Sequence, residues 1–191
     1  MDITELILDD HHEQRWLFAI LEQIARSDIA NLTAAWNRLA VFLDLHAESE
    51  ERLVYPALLH LGRGVGGEHA PPKEAEDAIQ DHNDIRAAVA EVGHNDVGSD
   101  GWYDAVSAAN KANGDLMAEE ESEGLTDFRR NASVTTRHRL GVKFAAFEPP
   151  GSPASSRSTR TRRNTSTNTS AAEIDSITQG HALLDQPIAA S

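Results

Sequence analysis

Through its first 150 positions the chain repeats apolar residues at steps of three and four, the period of helices that bury one face. The stripe Ile3, Ile7, His11, Gln14, Phe18, Leu21, Ala25 predicts a helix over about residues 2–26. Asp2, with Glu5 three residues later, would open it as a capping box. A second helix, about 31–61, carries Leu32, Trp36, Leu39, Leu43, His46, Glu50, Leu53 and Ala57 and stops at Gly62. Pro56 sits inside it and should bend it near Arg52, because proline lacks an amide proton and its ring meets the carbonyl four residues back. After the loop Gly62–Gly67, Pro71 and Pro72 open a third helix, about 72–93, with Ala78, His82, Ile85, Val89 and Val92 inward. The turn Gly98–Gly101 leads into a fourth, about 100–129, marked by Trp102, Val106, Ala109, Asn113, Leu116 and Glu120. A shorter fifth, about 132–147, shows Leu140, Val142, Phe144 and Phe147.

Four amphipathic helices on short connections predict an all-α, antiparallel up-down four-helix bundle with a short fifth helix. In such a bundle, residues at equal height on successive helices lie equally far from the turn between them. The histidines and carboxylates that interrupt the four stripes are His11, then His46 with Glu50, then His82, then Glu120. The midpoint of 11 and 46 falls at 28.5, within Ser27–Ile29; that of 46 and 82 at 64, in the glycine loop; that of 82 and 120 at 101, in the last turn. The interruptions therefore share one layer, halfway along the bundle.

Composition narrows the choice of partners. The 191 residues suit one domain with a tail. The absence of cysteine excludes disulfides, thiolate metal sites and a cysteine nucleophile. With 31 acidic against 17 basic residues, the net charge of −14 argues against nucleic acid as a partner. Four arginines against three carboxylates leave residues 149–191 at +1, so residues 1–148 hold −15. The tail, rich in Ser, Thr and Arg, lacks the apolar surface to offset its ordering entropy and is expected to be disordered beyond a domain of residues 1–148. No apolar run is long enough to span a membrane, and the first residues lack the positive region of a signal peptide, so a cytoplasmic protein is expected.

A buried layer of three imidazoles and two carboxylates is costly unless its members pair or bind metal. Nitrogen and carboxylate donors without thiolate suit iron, zinc or manganese and lean away from structural zinc. His46 and Glu50, one turn apart on one face, would let the imidazole hold one ion while the carboxylate bridges two. The plainer readings are a solvated His11 with His12 inward, a self-satisfied His46–Glu50 pair, a hydrogen-bonded core His82, and a solvated Glu119–Glu121 run.

The segments Asp10-His11-His12-Glu13, His46-Ala-Glu-Ser-Glu50-Glu51 with Pro56 beyond, Asp81-His82-Asn-Asp-Ile85-Arg86 and Leu116-Met-Ala-Glu-Glu120 together resemble the hemerythrin-like (HHE cation-binding) family over roughly residues 3–130. The resemblance implies a four-helix bundle around non-haem iron, in which histidines from all four helices and bridging carboxylates from the second and fourth hold two ions. It implies binding of dioxygen, nitric oxide or peroxide at an open position. Carried over by position, the ligands are His11, His46, Glu50, His82 and Glu120. The sequence departs from the pattern at Leu116, where the fourth helix should carry a histidine, and offers Ala78 one turn before His82, where some members have a second. The expectation is thus an impaired centre holding two irons or one, with Asp81, Asp115 or Glu119 as substitute oxygen donors off the stripe. Three functions follow: a small-molecule binder, an iron-dependent oxidoreductase acting on peroxide or a diatomic gas, and a metal-poor helical sensor or partner-binding module. No nucleophile motif of the Gly-x-Ser-x-Gly kind appears, so any catalysis would come from the metal.

Overall fold

The computed structural model describes residues 1–61 and 71–147. The loop Gly62–Gly67, His69 and the 149–191 segment lie outside them. The described residues form helices and no strand: α1 Ile3–Gln23, α2 Ile29–Leu53, α3 Tyr55–Leu61, α4 Pro71–Val92, α5 Asp100–Glu119, a π-helical turn Glu120–Gly124, α6 Leu125–Asn131 and α7 Val134–Ala145. None is long and apolar enough to cross a membrane. Side chains supply the starts: Asp2 accepts from the Thr4 amide, Asp28 from Asn31, Ser99 from Trp102 and Ser133 from Thr136. At Asp2 the cap is not reciprocated by Glu5; Thr4 also donates its hydroxyl to the same carboxylate at 2.9 Å. Gly98 makes the α4–α5 turn at φ +83, where an added Cβ would lie 2.6 Å from the Arg26 carbonyl oxygen.

The predicted second helix is split. The Pro56 ring cannot accept a straight path, and the helix breaks at Val54, one residue beyond the end of α2. The break shifts the buried register by one. Val54, Tyr55 and Leu58 enter the core, while Leu53 and Ala57, the predicted continuation, are only half-buried. The fourth helix is also interrupted, more gently. In the π turn the Leu125 amide bonds to the Glu120 carbonyl five residues back, so the buried positions step from Glu120 to Leu125 and on to Phe128.

Two apolar clusters build the core. One gathers Ile3, Ile7, Tyr55, Leu116, Leu125 and Phe128; the other gathers Phe18, Leu21, Leu32, Trp36, Leu39 and Trp102. Every polar residue of the predicted layer is buried between them, together with Gln14 and Asn113, whose amide nitrogen donates to the Gln14 oxygen at 2.9 Å. The fifth helix of the prediction, α7, lies on α1 and α2. It is held there by Arg137 on Asp2 at 3.0 Å and by Gly141, which lets the Ile3 backbone come close. Its Leu140 is buried and Phe144 half-buried, whereas Val142 is exposed.

Candidate metal centre

The five predicted ligands come together. His11 and His46 face each other with ring centroids 5.1 Å apart. His11 Nε2 lies 3.4 Å from Glu120 Oε2, and Glu50 Oε2 lies 3.4 Å from His46 Nε2 and 3.5 Å from His82 Nε2. Three imidazoles thus turn the same nitrogen toward two carboxylates. One donor atom from each of His11, His46, Glu50 and Glu120 falls within a 4.8 Å sphere of mutual distance, wide enough for one ion to touch all four. His82 stands at the far side of Glu50, in the same layer but outside that group of four. His12 is exposed.

The opposite nitrogen of each ring is held from outside. His11 Nδ1 meets Glu121 Oε1 at 3.0 Å, His46 Nδ1 meets Asp10 Oδ2 at 3.1 Å, and His82 Nδ1 meets Glu51 Oε1 at 3.1 Å. A carboxylate there keeps the proton on Nδ1, points the Nε2 lone pair inward and raises its basicity as a ligand. Two of these carboxylates are themselves clamped, Glu121 by Arg15 at 2.7 Å and Glu51 by Arg86 at 2.8 Å. None of the three was singled out by the sequence, yet each is the chain neighbour of a predicted ligand. Asp10 precedes His11 and serves His46; Glu51 follows Glu50 and serves His82; Glu121 follows Glu120 and serves His11.

The layer leaves two buried polar atoms unsatisfied. His11 Nε2 and Glu50 Oε2 are buried without a hydrogen-bond partner, since their ion-pair contacts are not aligned for one. A buried polar atom left this way is expensive, and a cation among the inward donors would satisfy both. The titration behaviour agrees. Burial alone would push the His46 imidazole down, but the Glu50 charge and the Asp10 contact outweigh it and raise it to about 9. His82 is also raised, against burial, by Glu50. Burial pushes Glu120 up, but its contact with His11 and the imidazole charges bring it below the usual carboxylate range.

The half of the layer beside His82 differs. Leu116 and Ala78 are both buried there and offer no donor. In their place stands Tyr55, which the sequence reading missed because it assumed an unbroken helix. Its hydroxyl donates to Glu120 Oε1 at 2.7 Å and lies 3.5 Å from His82 Nε2, and its ring stacks on His82. Burial and the facing Glu120 and Glu50 charges push the phenol well above its ordinary pKa. The substitute donors proposed from sequence do not enter the layer: Asp81 is half-buried, Glu119 exposed, and Asp115 exposed and paired with Lys111. Leu116, Ala78, Tyr55, Glu50 and Glu120 line a cavity of about 40 Å³, room for a few water-sized atoms. The remaining described histidines serve elsewhere: His60 and His94 are exposed, and His138 meets the Met1 carbonyl at 3.1 Å.

Fold and site together define a helical bundle with a buried His/Glu layer suited to a metal cation. The family model Hemerythrin HHE cation binding domain matches residues 2–125, and the chain belongs to this family. The fold is also that of a crystal structure titled Hemerythrin HHE cation binding domain-containing protein, an Rv2633c homolog from Mycobacterium kansasii. That chain is 19% identical, with a TM-score of 0.65 over 76% of this chain and 84% of the other. No curated protein matches the sequence.

Proposed function

We propose that the chain holds non-haem iron with His11, His46, Glu50, His82 and Glu120 and uses it to take up dioxygen, nitric oxide or peroxide. The observation that carries this reading is the shared orientation of three buried imidazoles. Each is anchored through Nδ1 to an outer carboxylate, so that the Nε2 atoms turn toward the two central carboxylates, with His11 Nε2 and Glu50 Oε2 left without a hydrogen-bond partner. Bound iron would supply an open coordination position and redox chemistry; the protein supplies donors, orientation and a dry surround. His11, His46, Glu50 and Glu120 form the complete half. His82, with the phenol oxygen of Tyr55 and the shared carboxylates, forms the poorer half, where Leu116 stands in place of a ligand. The two halves are therefore unequal, and the second ion is the weaker. Reconstitution with ferrous iron under argon, followed by elemental analysis and an absorption spectrum on admission of air, tests the reading. One tight iron per chain and a second lost on dialysis are expected; a chain that retains no metal overturns it. A stable adduct spectrum with the gas marks a binder, and gas evolution from peroxide marks an oxidoreductase.

A further inference from the structure

The cavity beside Tyr55 runs from Glu50, 1% exposed, to Glu119, which is open to solvent. Its inner wall is hydrocarbon from Leu116, Ala78 and Val54, and its floor is the two central carboxylates. Its outer wall carries Glu119 and Glu123, and none of its lining residues is basic. The far side of the layer is covered, because Phe144 of α7 stands edge-on to His46 at 6.1 Å and Phe42 lies 6.5 Å from the same ring. The wider groove between α2 and α4 touches His82 but neither Glu50 nor Glu120. The unpartnered Glu50 Oε2 belongs to a residue of the cavity's floor, so a molecule that enters arrives at the donors that would hold metal.

From this geometry we infer that the cavity is the entrance for the small ligand and that Glu119 and Glu123 make it selective for neutral molecules over anions. The inference rests on the metal-binding reading above and adds the ligand's charge and size. A space of about 40 Å³ has room for dioxygen, nitric oxide or hydrogen peroxide. Two carboxylates at the solvent-facing mouth repel azide, nitrite or superoxide before they reach the layer, and this repulsion weakens as salt screens it. Uncharged ligands meet no such barrier and find an apolar wall.

The experiment has two arms. In the metal-free protein, methyl NMR reads entry directly. Dissolved dioxygen, neutral and paramagnetic, should broaden the Leu116, Leu125 and Val54 methyl signals. Unbroadened signals would close the entrance and overturn the inference without touching the metal reading. In the iron-loaded protein, stopped-flow absorption compares azide with nitric oxide. The ratio of azide to nitric oxide association rates should rise about ten-fold in the Glu119→Gln/Glu123→Gln double variant at low salt, and added salt should raise it in the wild type. An unchanged, salt-independent ratio overturns the charge selectivity. A chain that takes up no iron overturns the metal reading, and the NMR arm then decides the cavity alone.

Discussion

Leu116→His restores an imidazole where the fourth helix presents hydrocarbon. Leu116 is buried in the cluster of Ile3, Ile7 and Phe128 and shares a cavity with Glu50, Tyr55 and Glu120, so a ring at this position stands beside both central carboxylates. In metal-free protein the change is destabilising. It forfeits part of the roughly 1.5–3 kcal/mol of a buried leucine and adds an incompletely paired polar ring costing about 1–3 kcal/mol. A net loss of about 2–4 kcal/mol lowers the melting temperature by roughly 5–15 °C in a domain of this size. Metal reverses the sign, because the new nitrogen completes the poorer half of the layer. A hundred-fold gain in affinity there returns about 2.7 kcal/mol at saturating metal. Thermal melts of chelator-treated and iron-loaded protein, with elemental analysis of both, check this. The variant should melt lower than wild type without metal, nearly level with it when loaded, and should hold closer to two irons. An unchanged iron content, with the same metal-induced rise in melting temperature as the wild type, would refute the placement of residue 116 in the ligand layer.

Glu121→Gln removes the carboxylate behind His11 and should weaken metal binding about 10–100-fold, as competition titration with a chelator would measure; a change under two-fold argues that Glu121 does not orient that ring. Tyr55→Phe removes the donor to Glu120 and the only phenol in the poorer half, so iron content should fall toward one per chain while the first ion stays tight. Stability of the metal-free protein should depend on pH through His46, whose folded value of about 9 exceeds its ordinary 6.5. The group binds its proton more tightly when folded, so its contribution is complete below about 6.5 and fades as pH rises through about 9, a few kcal/mol in all. Urea denaturation of chelator-treated protein between pH 6 and 9.5 would record this, and a flat or rising profile would contradict it. Metal affinity should run the other way, strengthening with pH as the competing protons leave.

The layer itself was legible because its logic is arithmetic. Antiparallel helices with short turns tie position in sequence to height in the bundle, and His11, His46, His82 and Glu120 met as their midpoints required. Tyr55 was not legible, since a periodicity argument assumes a constant turn per residue and Pro56 resets the phase at Val54. The π turn does the same on the fourth helix, though the five-residue step from Glu120 to Leu125 and Phe128 was there to be read. Asp10, Glu51 and Glu121 were passed over for another reason. On a helical wheel they flank the buried stripe, where a carboxylate resembles any solvated one, and their pairing with a histidine on a different helix appears only in three dimensions.

Several contacts that hold α1 join distant parts of the chain. His11 meets Glu121 across 110 residues, Arg129 meets Thr4 across 125, and His138 reaches the Met1 carbonyl across 137. Contacts so remote in sequence carry the heaviest loop-closure entropy and form late in folding. His11 therefore meets Glu120 and Glu121 only after nearly every other helix has been synthesised, although α1 can pack on α2 before then. If the proposed site holds iron, refolding in its presence would meet a chain whose proposed ligands are scattered and free to capture ions singly. Loading the finished bundle avoids that trap, so the order of assembly matters as much as the identity of the donors.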